Sequence, residues 1–450
     1  MNTAPPAFPR RDVWREWRAA QDSGKPTAVL LTNCRVVDVT QPIETIGPLG
    51  WVLCKDGLIH TVGVRDDWLV VVPTLDAPYS VTIDCGGRLL LPGLCDAHVH
   101  ATAVSADLGG LLSLSESLVT ARAVVQLEQM LMRGFTTVRD VGGADWGLAL
   151  AVEEGSCCGP RLLFVGHALS QTGGHGDLRT RGEECFVCGP ALRGLGRVCD
   201  GEAECRKAAR DELRKGAHCI KIMASGGVAS PTDKLTSTQF SLGEMRSIVE
   251  EAVAVGTYVC AHAYTPASIM RALECGVRCI EHGNQIDEPT AAAMAAAGAT
   301  LVPTLITYEK LVSDGEASGM PAELVAKVGD ILAQGLDALR FANAAGCTVV
   351  FGSDLLGAMQ SSQCEEFDLR ATVEPRWRTL QSATILAAQL FQEGGEGGIG
   401  RVAQGCRADL ILVDSLEGLS APASNLKAVV KNGVLVLNRV PQSEAGTAAL

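Results

Sequence analysis

The sequence predicts an α/β protein, a (β/α)8 TIM barrel with a small composite β-sandwich domain built from both chain ends. Three observations carry that prediction. Eight short apolar runs alternate with helix-patterned segments through the middle of the chain, as repeated β-α units of a parallel sheet do. Both ends of the chain change style to short β-runs joined by Asp-Gly and Asn-Gly turns. The polar residues closing several of the eight runs are histidine, lysine and aspartate, where a barrel places its active site.

The 450 residues leave room for one large domain and a smaller one. A hydrophobic fraction of 47% with 20% charged residues is that of an ordinary globular protein. The mean hydropathy of +0.19 prompts a search for membrane spans, but the most apolar stretch, Ala291 to Thr307, is interrupted by Gly298 and Pro303 and reads as helix, turn and strand. A net charge of −13 disfavours nucleic acid and anionic membranes, so the partners expected are small molecules and further copies of the chain in a homo-oligomer. Seventeen cysteines, an odd number scattered along a long chain, argue against a disulfide scaffold. The N-terminal MNTAPPAFPRRDVWREW lacks the apolar run of a secretory signal, and a cytoplasmic location is expected.

In chain order, residues 1–27 read as an N-terminal arm carrying Trp14 and Trp17, either a docking element or a tail. Residues 28–91 and 401–440 read as the composite β-domain. Its runs are AVLLTNCRVVDV, GWVLCKDGLIHTVG around Asp56-Gly57, SVTIDCGGRLLLPG, ADLILVD, and KAVVKNGVLVLN around Asn432-Gly433. Residues 92–400 read as the barrel. Its runs are LLLPGLCDAHVH, FTTVRDVGG, RLLFVGHAL, CIKIMASGG, YVCAHAY, RCIEHGN, TLVPTLI and TVVFGSD. Helices fit between them, one opening with Ser241 as N-cap and Glu244 three residues on, the pattern of a capping box.

The first barrel run ends in His98 and His100. Alternate residues on a strand share a side, so both imidazoles can face one point, either as metal ligands or as hydrogen-bonded strand histidines. The other run ends add Lys221, His262, His282 and Asp354, and four of the eight histidines in the chain fall at such ends. Histidines with a carboxylate suit zinc or a similar divalent ion. His167 reads equally as a site or a core residue, and His60 and His218 read as structural. Cys185-x-x-Cys188 lies in a long segment, Gly176 to Gly201, placed to form a lid; it lacks the second ligand pair of a zinc knuckle and the context of a redox motif. The glycine run Gly394 to Gly400 reads as a turn.

Taken in order, PGLCDAHVH, the lysine of CIKIMASGG, AHAYT, IEHGN, FGSDLLG and IGRVAQGCRADLILVD resemble the amidohydrolase superfamily from about Ala28 to Asn438. ALSQTGGHGD and IKIMASGGVAS are similar in particular to the imidazolonepropionase-like group that holds fungal ochratoxinase and bacterial zinc-dependent Xaa-Pro and Xaa-Arg/Lys dipeptidases. The resemblance implies that Lys221 is carboxylated and bridges two divalent ions, since a protonated amine has no lone pair for a cation; the alternative is a lysine ion-paired with Asp354. It implies His98, His100 and Asp354 on one zinc ion and His262 and His282 on the other. A hydroxide between the ions would attack the carbonyl, with Asp354 passing the proton to the leaving nitrogen. It also implies that His175 and Tyr264 hold a free carboxylate of the substrate, although His175, among glycines, could merely cap a turn.

The expected activity is hydrolysis of N-acyl amino acids, dipeptides or ochratoxin-like amides next to a free C-terminal carboxylate. The rivals are a hydrolase of cyclic amides or lactones and a non-catalytic assembly protein on the same fold.

Overall fold

A computed structural model describes residues 27–41, 44–64, 79–182, 194–329 and 331–440. The arm up to residue 26, with Trp14 and Trp17, and the Cys185–Cys188 pair lie outside the described residues. The described chain forms two compact units. The first runs to Leu94, takes in Met132–Thr136 and resumes at Phe391; the second comprises Cys95–Leu131 and Thr137–Leu390.

The chain opens with β1 (Thr27–Val37), β2 (Ile46–Lys55), β3 (Leu58–Val64), β4 (Tyr79–Asp84) and β5 (Leu89–Pro92). β2 and β3 pair antiparallel about Asp56 and Gly57, whose φ of +50° and +84° are the double left-handed pair that a two-residue hairpin turn demands. Ten strands follow: β6 (Leu94–Val99), β7 (Phe135–Asp140), β8 (Arg161–Phe164), β9 (Ala168–Ser170), β10 (Gly196–Val198), β11 (Ile220–Met223), β12 (Val259–Ala263), β13 (Cys279–His282), β14 (Thr300–Val302) and β15 (Thr348–Val349). The chain ends in β16 (Leu410–Val413), β17 (Leu426–Lys431) and β18 (Val434–Asn438). Asn432 and Gly433, at φ +48° and +73°, make the second hairpin of the same kind.

Strands from both chain ends share one eight-stranded sheet in the order β18-β17-β16-β5-β1-β2-β3, with β4 beside β1. Its core draws Val29, Leu31, Ile83, Leu90, Leu410, Leu412 and Val430 into one buried cluster. In the second unit β10-β9-β11-β12-β13-β14-β15 form one sheet whose paired neighbours all run parallel, and β6-β7-β8 form another. Backbone bonds tie both edges of the smaller sheet to the larger: Ala97 N–H donates to Phe351 O beyond β15 at 2.8 Å, and His218 N–H, just before β11, donates to Phe164 O at 2.7 Å. Helices Glu202–Arg214, Leu242–Ala254, Pro266–Glu274, Glu288–Ala296 and Ile331–Ala344 intervene between strands and bury Ala209, Ile248, Ile269, Met294 and Leu339 with Ile222, Ile280 and Leu301 of the strands.

Two runs behave differently from expectation. RLLFVGHAL is two strands in two sheets, because Gly166 at φ +73° turns the chain between β8 and β9. The end of the Gly176–Gly201 segment supplies β10, laid parallel on β9. The cysteines in the two cores, among them Cys34, Cys54, Cys260 and Cys279, are buried free thiols. No helix among the described residues is long and apolar enough to cross a membrane.

The helix Leu242–Ala254 starts where the sequence places it, with Ser241 accepting from Glu244 N–H and Glu244 reaching back to Ser241 N–H at 2.7 Å. Ser241→Ala removes one half of that box and leaves a first-turn N–H without its acceptor. The change is expected to cost about 1 kcal/mol, read as a lower midpoint in urea with an unchanged slope.

Candidate active site

β6 is buried along its whole length, and its last residues set the site. Asp96 Oδ1 accepts from His98 N–H at 3.0 Å and Ser353 N–H at 3.2 Å, while Oδ2 takes Ser353 Oγ–H at 2.6 Å and Gln363 Nε2–H at 2.8 Å. One carboxylate thereby fastens the end of β6 to the segment carrying Asp354, and Asp354 N–H donates to His98 O at 2.8 Å. Asp140, ending β7, accepts from Ala101, Gly142 and Ala144 N–H and fixes the turn whose Gly142 carbonyl meets His100.

His98 on β6 and His100 just past its end converge as the alternation predicts. His98 Nε2 and His100 Nε2 each lie 3.3 Å from Asp354 Oδ1. Their other nitrogens are committed outward, His100 Nδ1–H to Gly142 O at 2.9 Å and His98 Nδ1 to Glu281 Oε2 at 2.7 Å. A carbonyl and a carboxylate can only accept, so each neutral ring turns a lone pair at Nε2 toward the Asp354 oxygen. Three acceptors meeting at one point are the donor set of a cation, and His98, His100 and Asp354 form a group able to hold a metal ion. Burial pushes the His100 imidazolium down, and Asp354, with Asp140 and the Gly142 carbonyl, more than offsets this and raises it. Burial likewise works against the Asp354 carboxylate, and the surrounding imidazoles, His98 foremost, bring it well below the usual range.

His262 and His282 complete the cluster, with ring centroids 4.6 Å apart and His282 4.8 Å from His98. His262 Nε2–H donates to Gly226 O at 3.0 Å, which leaves Nδ1 with its lone pair; His282 Nδ1 pairs with Thr304 Oγ at 2.8 Å. Burial, with the neighbouring imidazoles adding to it, keeps both rings neutral, the form that ligates. His282, Thr304 and Asp354 have φ of +71°, +47° and +52°. Left-handed backbone is costly for such residues, and its gathering at three contiguous points marks where the fold holds side chains against local preference.

Lys221, on β11, lines the same cavity as these ligands, and its Nζ is buried with no hydrogen-bond partner among the described residues. His175 and Tyr264 line it too. The His175 ring stacks on His262 at 4.2 Å, and its Nδ1–H donates to Ser230 Oγ at 2.9 Å, so Nε2 is its outward atom. Burial pushes the His175 imidazolium down to about 4 despite the opposing pull of Asp233. Tyr264 OH accepts from Tyr308 OH at 3.0 Å, which leaves the Tyr264 proton to donate elsewhere. The cavity, about 70 Å³, is otherwise apolar, walled by Leu108, Leu195, Met223, Val228, Leu311 and Leu356. His167 is not among its lining; it stands 3.5 Å from Glu212 and borders a separate cavity. His60 and His218 lie away from the cluster, beside Thr61 and Tyr258.

Sequence reasoning did not single out Glu281 and Arg139. Arg139, fully buried, donates to Glu281 Oε1 at 2.6 Å, Ala97 O at 2.7 Å and Tyr258 OH at 3.0 Å. Glu281, with burial against it, is held well below the usual carboxylate range by Arg139 first. A signal existed: an arginine in FTTVRD and a glutamate in RCIEH, each inside an apolar run of a parallel sheet, must find opposite charge.

The sequence matches the Amidohydrolase family over residues 89–436. Ochratoxinase of Aspergillus niger is 36% identical over 279 residues, 59% of this chain and 58% of its own length, so the chain spans less than two thirds of that relative. A solved prolidase in complex with N-methylphosphonate-L-proline is 43% identical and superposes with a TM-score of 0.86 over 92% of this chain and 100% of its own. A Xaa-Pro dipeptidase with methionine bound in its active site is 25% identical, with a TM-score of 0.76 over 91% of this chain and 99% of its own. With a family match across most of its length and the histidine cluster, Lys221 and Asp354 inside the matched span, the chain belongs to the amidohydrolase family.

Proposed function

We propose that the protein is a binuclear metal-dependent hydrolase that cleaves an amide bond beside a free C-terminal carboxylate, in N-acyl amino acids, dipeptides or ochratoxin-like amides. The observation that carries this is the donor set. Four imidazoles each commit one nitrogen outward or to a hydroxyl, Asp354 stands among them, and one buried amine has no partner among the described residues. Such an amine beside His262 and His282, which burial keeps neutral, fits carboxylation, which replaces three unmet donors by an anionic pair of acceptors. His98, His100 and Asp354 would hold one zinc ion, His262 and His282 the other, and carboxylated Lys221 would link them. The two ions would supply water ionised near neutral pH and a polarised carbonyl. The same reading takes the linked parallel sheets as a (β/α)8 barrel and the shared sheet of the chain ends, with its single core, as a β-sandwich.

The chain's own residues have distinct tasks. Asp354 accepts the proton released when water attacks the carbonyl and returns it to the departing nitrogen, a transfer its place beside both β6 imidazoles permits. Glu281 holds His98 in the tautomer whose Nε2 faces inward, and Arg139 keeps Glu281 ionised. His175 and Tyr264 receive the substrate carboxylate, Tyr264 through the hydroxyl proton left over from its bond to Tyr308. Receiving an anion at His175 Nε2 requires a second proton on that ring, which burial opposes and Asp233 behind it favours. The apolar walls suit a hydrophobic acyl group. The solved prolidase, which binds a phosphonate joined to proline, and ochratoxinase, similar over much of this chain, support the amide and carboxylate parts of this reading.

A panel of dipeptides and N-acyl amino acids, each with a free and an amidated C-terminus, is the direct test. Metal-replete protein is expected to hydrolyse the free acids at least tenfold better in kcat/KM, and equal rates would remove His175 and Tyr264 as carboxylate anchors. Lys221→Ala is expected to lose most activity and to drop bound metal from about two ions per chain toward one, with far-ultraviolet dichroism unchanged; full turnover would remove the bridging lysine. Glu281→Gln leaves Arg139 buried without its counter-charge and loosens His98. Metal affinity is expected to fall roughly 10- to 100-fold, measured by competition with a chelator.

A further inference from the structure

The helix Leu305–Asp314 begins without a cap of its own. An ordinary N-cap has extended backbone and lays its side-chain oxygen over the free N–H groups of the first turn. Thr304 stands at that position with φ +47° and ψ +49°, and its side chain makes no capping bond. Its hydroxyl is spent on the His282 ring instead. The task passes to Glu366, 60 positions on, whose Oε2 accepts Ile306 N–H at 2.7 Å. Glu366 is fully buried at the start of the helix Glu366–Arg370, which Phe367 anchors with its ring 4.9 Å from that of Phe351. Arg370, one turn along, already has its counter-charge in Glu374 at 2.6 Å. Burial pushes the Glu366 carboxyl up to about 8 against the pull of Arg370, so near neutral pH it serves as an uncharged acceptor.

The turn held by Glu366 carries two groups of the site. Thr304 Oγ meets His282 Nδ1 at 2.8 Å, and Tyr308, four residues on, donates its hydroxyl to Tyr264 OH at 3.0 Å. The Tyr308 ring stands edge-on to both partners, its centroid 6.2 Å from that of Tyr264 and 6.4 Å from that of His282. Thr304 and Tyr308 are fully buried, so a shift of the helix start moves both against their partners at once.

We infer that Glu366 is a positioning residue: by capping this helix from outside, it frees the Thr304 hydroxyl for His282 and sets the Tyr308 hydroxyl on Tyr264. This rests on the reading of His282 as a ligand and of Tyr264 as a carboxylate anchor given above. Glu366 does not line the cavity, and it acts through the backbone it caps.

Three variants of the full chain separate acceptor from charge. Glu366→Gln keeps an acceptor and loses the charge, Glu366→Asp keeps the charge and withdraws the acceptor by one methylene, and Glu366→Met loses both. Glu366→Gln is expected to match the wild type. Glu366→Asp and Glu366→Met are expected to speed amide hydrogen exchange over residues 305–308 and to weaken metal retention against a chelator roughly tenfold. They are also expected to raise KM for a free-acid substrate about tenfold, with KM for the amidated substrate unchanged. Should Glu366→Met fail to fold, the other two variants carry the comparison. Wild-type exchange, metal retention and KM in Glu366→Asp overturn the inference. So does a lower melting midpoint in Glu366→Asp with metal retention and KM of the wild type, the mark of a cap that serves stability alone. Glu366→Gln as impaired as Glu366→Asp also overturns it, because the charge and not the capping bond would then carry the effect. A wild type that treats free acid and amide alike instead refutes the carboxylate role of Tyr264, while exchange and metal retention still report on Glu366.

Discussion

A carboxylate oxygen and two imidazole nitrogens, all acceptors, face one another at 3.3 Å in a buried place, and the rest of the second unit is arranged to keep them there. Left to themselves these groups would separate or protonate, because acceptors that meet without a donor lose their hydration and gain nothing. They stay because each is tied from behind. Asp96 binds the end of β6 to Ser353, Asp140 fixes the Gly142 carbonyl, and Glu281 takes the far side of His98. The left-handed backbone of Asp354 and His282 is a further cost borne by the same packing.

The charges under this cluster form a closed balance. Arg139 is fully buried, and an unpaired guanidinium there would cost several kcal/mol. Glu281 neutralises it and uses its second oxygen on His98, so one carboxylate both stabilises the buried cation and sets a tautomer. Breaking the pair therefore reaches the ligand ring in one step, without any movement of strands. Close backbone approaches reinforce this. A Cβ on Gly352 would lie 2.9 Å from His98 Cβ and 2.4 Å from Val302, so the strand end bearing Asp354 can pass His98 only because that residue is glycine.

What was legible in the sequence was what strand periodicity and turn chemistry report. The His98–His100 pair, the hairpins at Asp56-Gly57 and Asn432-Gly433 and the capping box at Ser241 all follow from rules that act within a few residues, and each stands where those rules place it. The order of the ligand-bearing runs was legible through resemblance, and the structure brings His98, His100, Lys221, His262, His282 and Asp354 to one cavity. Contacts between distant strands were not legible. Glu281 is next to His282 in the chain yet serves His98, 183 positions earlier, and no local pattern encodes that. The break of RLLFVGHAL at Gly166 was missed because a glycine inside an apolar run can end a strand or merely thin it, and only the neighbouring sheet decides.

The division of labour between strands and loops follows from how firmly each group must be held. Metal-ligand geometry tolerates errors of only a few tenths of an ångström, and the residues proposed as ligands stand on or beyond the ends of parallel strands whose backbone bonds are saturated by neighbours. His175, proposed to meet the substrate, stands instead in a loop. A loop side chain is placed only as well as its hydrogen bonds place it. Here those bonds run from Ser230 and Gln239 through Asp233 to Lys327, on a segment nearly a hundred residues away, and the third donor of that ammonium is already spent on the same loop. Rigidity that ladder bonds give the strand-borne histidines is given to His175 by side-chain hydrogen bonds to Ser230 and Gln239.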